Sequence, residues 1–285
     1  MKIMTEVYKA KRLREGLWSI AEQHSADGMT VMIYLVEGSK KAALIDSGFG
    51  VTDTLRKFVE GFTDKPIACY IAHGHPDHAG AAALFDEIYM SRRDEHLLPI
   101  SLSYERRMGD VFGRGGDDAH KAYCREHIVM CTQLNYKDID EGAVIDLGGK
   151  CLEVYAIPGH TQGSLVFYNR EENFALTSDA FSSRTALVTL PKEKRIGIQS
   201  YRNGLSRFLN TINDDTLLYW GHGDEAMPHC VPMDMLRACD EVLTGKTEKD
   251  ILCDNPFSRR LSAAGKRMME HSCGSVMLVY DANTL

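Results

Sequence analysis

Three features of the sequence predict a layered α/β (α+β) architecture. Short β-branched, apolar runs bounded by Gly, Pro or Asn alternate with segments of helical spacing. The composition, 44% hydrophobic and 26% charged over 285 residues, is that of a chain with a substantial packed core. Histidines and aspartates recur just beyond the ends of successive apolar runs, as one edge of a sheet structure gathering a site requires. No repeat, low-complexity tract or clear linker divides the chain, so residues 1–285 read as one domain, with an insertion at about 91–135 and an extension from about 225.

The first 60 residues read as strands closed by a helix. Met29–Glu37 and Ala42–Asp46 are apolar and β-branched, and Ser47-Gly48-Phe49-Gly50 breaks the second run. Thr52–Gly61 then has helical spacing, with Leu55, Phe58 and Val59 on one side. Ile67–Ala72 is a strand, Ala79–Phe85 a short helix and Glu87–Met90 a further strand. Residues 91–135 are richer in charge and glycine, with a helical run over His120–Leu134; they suit a cover over a site or a contact in a homodimer. Strands resume at Ala143–Leu147, Cys151–Ile157, Ser164–Tyr168 and Ala175–Thr177. A helix over Tyr201–Asn210, a strand over Leu217–Trp220 and a helix over Met233–Leu243 follow, and the tail ends in an apolar strand, Ser275–Tyr280.

Charge and cysteine usage exclude several classes of function. Lys+Arg 33 against Asp+Glu 40 leaves a net charge of −7, and no basic block is present, which argues against nucleic acid or an anionic membrane as partner. No stretch of about 18 apolar residues could span a bilayer. The N-terminus carries scattered charges and no apolar run of signal-peptide length, so the expected compartment is the reducing cytoplasm. None of the eight cysteines forms a C-x-x-C pair, which removes thiolate zinc knuckles and thioredoxin-type sites.

The strongest signal is His73-x-His75-x-Asp77-His78, four metal-competent side chains within six residues at the end of an apolar strand. Residues two apart in extended chain point the same way, so His73 and His75 can grip one ion together. Pro76 forces a turn that aims Asp77 and His78 elsewhere and invites a second ion. His160 in Pro158-Gly159-His160-Thr161, Asp179 after Thr177, and His222 in Gly221-His222-Gly223 occupy the same kind of strand-end position. Singly, each reads as a turn histidine or a capping aspartate; together they read as one site.

With Asp46-Ser47-Gly48 added, this series resembles the metallo-β-lactamase superfamily over about residues 29–225, with every motif in the family's order. The resemblance implies a four-layered αββα sandwich with a binuclear metal site on the edge between the two sheets. It implies that His73, His75 and His160 hold one divalent ion, that Asp77, His78 and His222 hold the other, and that Asp179 bridges them. Asp46 would orient the ligand loop from behind. Zinc is the expected metal, with iron and manganese compatible with the same ligands. A water held by such a centre has its pKa lowered from 15.7 to about 7. The implied reaction is hydrolysis by a metal-bridging hydroxide, with Asp77 as the catalytic carboxylate that accepts or orients its proton.

The segment Pro158–Tyr168, PGHTQGSLVFY, is similar to hydroxyacylglutathione hydrolases (glyoxalase II) and to lactonases of this fold, which points to a small ester, thioester or lactone as substrate. A phosphodiesterase on the same centre, and a non-hydrolytic iron-dependent redox protein, are the alternatives. Weaker candidates are Lys246, Arg259, Arg260 and Lys266 as a glutathione-type anion site, Arg184 and Tyr201 as substrate contacts, and His120, Cys124 and His127 as a second metal site.

Overall fold

The computed structural model describes residues 7–23, 30–113, 118–187, 197–255, 259 and 265–284. Its elements run β1 (Tyr8–Arg14), β2 (Leu17–Gln23), β3 (Thr30–Glu37), β4 (Ala42–Ile45), α1 (Leu55–Val59), β5 (Ile67–Ile71), α2 (Pro76–Ala79), β6 (Ile88–Met90), α3 (Leu98–Ser101), α4 (Tyr104–Gly113), α5 (Asp118–His127) and β7 (Lys137–Asp138). They continue β8 (Val144–Asp146), β9 (Cys151–Ala156), β10 (Leu165–Asn169), β11 (Phe174–Ser178), β12 (Arg184–Ala186), α6 (Ile198–Leu209), β13 (Leu217–Trp220), α7 (Cys230–Leu243), β14 (Ile251–Leu252), β15 (Met268–Cys273) and β16 (Val276–Asp281).

β1 to β7 form one sheet in sequence order, and a second sheet has the order β13-β11-β10-β9-β8. The period-2 alternation of each strand divides its side chains between two cores. In β3, Met32, Tyr34 and Val36 point into the space between the sheets, where they join Leu152, Val154, Phe167 and Leu176. Val31, Ile33 and Leu35 point the other way, toward Leu55 and Val59 of α1 and toward Met108 and Val111 of α4. In β10, Leu165 and Phe167 face the first sheet, while Val166 and Tyr168 face Leu205 and Phe208 of α6 and Met235 of α7. Both central sheets are thus covered on two faces, which explains why these strands read as nearly continuous apolar runs. The result is the expected αββα layering.

Several expectations are corrected by local chemistry. The helix expected at Ala79–Phe85 is replaced by α2 and a 3₁₀ turn at Ala82–Leu84, because Pro76 starts α2 behind an extended His75 at φ −75° and ψ 158°. The run His120–Leu134 stops being helical at His127, and beyond it the Val129 amide donates to Gly50 O while Val129 O accepts from Arg107. Segment 91–135 supplies part of the outer layer: Leu98, Leu102, Met108, Val111, Cys124 and Ile128 are buried in the core behind the first sheet. The tail is likewise built in. β14, β15, β16 and β12 make a third sheet, ordered β12-β16-β15-β14, and Val276, Leu278 and Tyr280 pack on α7. The start of the strand at Met29, the centre of the glycine-rich stretch at 114–117 and Arg260 lie outside the described residues.

Candidate metal centre

Strand ends on one edge deliver the candidate ligands. β4 leads to Asp46, β5 runs into His73 and His75, the β9–β10 loop carries His160, β11 leads to Asp179, and β13 leads to His222. Asp77 and His78 lie in α2, which starts at Pro76 behind the extended His75, and His78 O accepts from Ser47 N at 2.8 Å. The two sheets are tied together at this edge by backbone bonds, Met32 N to Gly221 O at 2.8 Å and Leu165 N to Ala72 O at 2.9 Å. Tyr34 adds a third tie, its hydroxyl donating to Trp220 O at 2.7 Å.

All seven expected ligands converge. His73 Nε2 and His160 Nε2 lie 3.1 and 2.9 Å from His75 Nδ1, a tri-histidine set. Asp77, His78 and His222 form a second set, with Asp77 Oδ2 at 3.9 Å from His78 Nε2 and 3.8 Å from His222 Nε2. Asp179 Oδ2 stands between the sets, 3.0 Å from His222 Nε2, 3.6 Å from His78 Nε2 and 3.8 Å from His160 Nε2. Among the described residues, every group of three or more His, Cys, Asp or Glu side chains able to share an ion belongs to this cluster.

Three of the five rings, His78, His160 and His222, are oriented from behind, which fixes the nitrogen each presents. Asp46 Oδ2 lies 2.8 Å from His78 Nδ1, its Oδ1 accepts from Ala72 N at 2.8 Å, and Ser178 Oγ donates to Oδ2 at 2.7 Å. Both Asp46 (φ 65°) and Ser178 (φ 46°) adopt left-handed backbone conformations, a strain that sites store and surrounding contacts hold. His160 Nδ1 lies 3.1 Å from Ala186 O, and His222 Nδ1 lies 3.0 Å from Thr30 O.

The electrostatics separate the two sets. Burial pushes His73 well down, helped by the neighbouring His78, His75 and His160, and takes His75 to about 3. His78 is held well above the ordinary histidine range: burial opposes this, but Asp46, Asp179 and Asp77 outweigh it. Against the same opposing effect of burial, Asp179 raises His222, and His222 and His78 in turn hold Asp179 well below the usual carboxylate range. The fit to cations shows in two buried atoms that make no hydrogen bond, His78 Nε2 and Asp179 Oδ1. Such orphaned groups are costly unless something occupies the space they face.

A match to the family model described as Metallo-beta-lactamase superfamily covers residues 26–249. The chain belongs to the metallo-β-lactamase superfamily. It is 23% identical over 223 residues to the human acyl-coenzyme A thioesterase MBLAC2, covering 73% of this chain and 77% of that protein. It is 28% identical over 193 residues to the hydroxyacylglutathione hydrolase GloC of Haemophilus influenzae, covering 66% of this chain and 82% of that protein. Among solved structures, a metallo-β-lactamase from Pontibacter korlensis aligns with a TM-score of 0.58 at 14% identity, over 82% of this chain and 99% of that one. Family and relatives together make this superfamily member a metal-dependent hydrolase.

The weaker candidates fall elsewhere. Tyr201 is fully buried, its ring against Gly159, and Arg184 is paired with Glu270 at 2.5 Å. Arg259 is paired with Asp254. Cys124 is buried in the outer core and His127 stacks on Tyr123, while the side chain of His120 lies outside the described residues. Sequence reading missed the residues that hold the ligand loops. Ser178 had only its adjacency to Asp179 as a signal. Arg107 had none: fully buried, it donates to the carbonyls of Phe49, Gly80, Leu102 and Val129. Beside His222 lies a cavity of about 300 Å³ lined by Ser183, Trp220, Asp224, Met227 and Val231.

Proposed function

We propose that the chain hydrolyses a small thioester, ester or lactone with two divalent ions, most readily zinc, held by the seven converging residues. The carrying observation is the position of Asp179, whose one carboxylate oxygen lies within 4 Å of ligand nitrogens from both sets. Ions held there supply a water acidic enough to react at neutral pH and a Lewis acid for the substrate's carbonyl oxygen. Asp77, with Oδ2 3.9 Å from His78 Nε2 and 3.8 Å from His222 Nε2, would take or orient the proton of the attacking water. Asp46 and Ser178 keep His78 presenting Nε2. The cavity walled by Trp220, Met227 and Val231 seats the apolar acyl part of the substrate.

Thioesters lead this reading because the two relatives are named for acyl-coenzyme A and hydroxyacylglutathione, in each of which sulfur carries the acyl group. A cytoplasmic setting belongs to the same reading; among the described residues no helix is long and apolar enough to cross a membrane. A panel of chromogenic thioesters, lactones and phosphodiesters, run with metal analysis, tests it. Turnover of thioesters or lactones with about two ions per chain is expected. Phosphodiester turnover alone would replace the reaction class, and activity undiminished after metal removal would end the proposal.

A further inference from the structure

We propose that Asp94 is a positioning residue for the tri-histidine half of the centre, one carboxylate that sets the spacing of the two loops bearing its ligands. Asp94 sits in a 3₁₀ turn, Arg92–Leu97, of the segment between β6 and β7, and is fully buried. Its Oδ2 accepts from Gly74 N at 2.8 Å and from Thr161 Oγ1 at 2.7 Å, and its Oδ1 accepts from Gly163 N at 2.7 Å. Gly74 lies between His73 and His75 on the first sheet's edge. Thr161 follows His160 on the second sheet's edge. The carboxylate therefore bridges the two layers beside the place where His75 and His160 meet at 2.9 Å.

The fit around it is tight in both directions. A Cβ on Gly163 would fall 2.7 Å from Asp94 Cγ, and one on Gly74 would fall 3.0 Å from Asp94 Cβ. Glycine at both positions lets the two loop backbones approach the carboxylate closely. The protons also have one arrangement. Thr161 gives its only hydroxyl proton to Asp94, so across the 2.9 Å contact Ser164 must be the donor to Thr161. Ser164 Oγ in turn accepts from Thr161 N at 3.0 Å, which closes the loop on itself. A buried carboxylate without such bonds would be strongly disfavoured. Here its three acceptor bonds are spent on the two loops that carry histidines.

This inference rests on the reading of the cluster as a metal centre. The test uses the full chain as wild type, Asp94→Asn, Thr161→Val, Thr161→Ser and His222→Ala. Asparagine offers one oxygen and cannot accept all three bonds. Zinc content is measured after dialysis against graded chelator, and thermal midpoints of the metal-free forms are recorded alongside. Asp94→Asn and Thr161→Val should lose on the order of tenfold or more in affinity for the ion that His222→Ala retains. The other ion should stay near wild-type affinity, and Thr161→Ser should hold both. If Asp94→Asn does not fold, the two threonine variants decide. Zinc bound equally tightly by wild type, Asp94→Asn and Thr161→Val, whatever their midpoints, would overturn the assignment of Asp94 alone, as would an equal weakening of both ions. A wild type that takes up no zinc would instead overturn the metal reading, and the role of Asp94 with it.

Discussion

The candidate ligand atoms are packed closely enough for single methyl groups to matter. A Cβ at Gly221 would fall 2.1 Å from Asp179 Oδ1 and 3.1 Å from His78 Cε1. Gly221→Ala should therefore fold yet lose most of its metal and at least about a hundredfold in turnover, a combination that separate zinc analysis and circular dichroism would reveal; full occupancy would refute the packing argument. Asp179→Asn should do the same without added bulk, because it removes the charge shared by both sets. A pH effect follows from the raised histidines. His78 and His222 are both held above the ordinary histidine range by the carboxylates around them, so each keeps its proton to higher pH than a free histidine does. Both must lose those protons to bind an ion, whereas His73 and His75, held below that range, have none to lose. Metal uptake should release protons and weaken as pH falls through neutrality. Titration calorimetry in buffers of different ionisation heat measures the release, and an uptake heat independent of buffer would contradict it.

At the level of elements, what the sequence showed and what it hid divide along contact range. The run from His73 to His78 and the strand-end residues His160, Asp179 and His222 were legible because a strand followed by a tight loop aims its own side chains. Asp94 and Arg107 were not, since their meaning comes from loops that fold against them from 20 to 69 residues away and their neighbours in sequence are ordinary charged residues. β12 was hidden for a similar reason: it is three residues long and pairs in parallel with β16, far along the chain. The docking of the β15–β16 hairpin has its own polar anchor. His271 lies buried with Nδ1 2.7 Å from Asp250 and Nε2 3.1 Å from Glu241 of α7, and Tyr280 donates to Asp250 at 2.7 Å. Removing the ring would leave buried Asp250 with the Tyr280 hydroxyl but without the imidazole hydrogen bond. His271→Leu should lower stability by about 2 kcal/mol in denaturant unfolding, with the metal content of the folded fraction unchanged. A loss below about 0.5 kcal/mol would show that the anchor contributes little.

For the molecule as a whole, the two ions of the proposed centre would act on both charge and stability. They would shift the net charge from −7 toward −3 and place the gain at one edge of the sandwich. Chelation should lower the thermal midpoint, and restored zinc should raise it again by an amount that grows with its concentration. A ligand that binds only the folded chain stabilises it, by about 4 kcal/mol at a thousandfold excess over Kd. A midpoint indifferent to chelator would place the ions outside the folded framework. The third sheet adds a constraint of its own. His160 is oriented by the carbonyl of Ala186, Ala186 is held in β12, and β12 is held by residues 276–281 of β16. The support of His160 therefore reaches across the fold to residues far along the chain from every candidate ligand, and a chain cut before Val276 should hold its ions more weakly than the full chain.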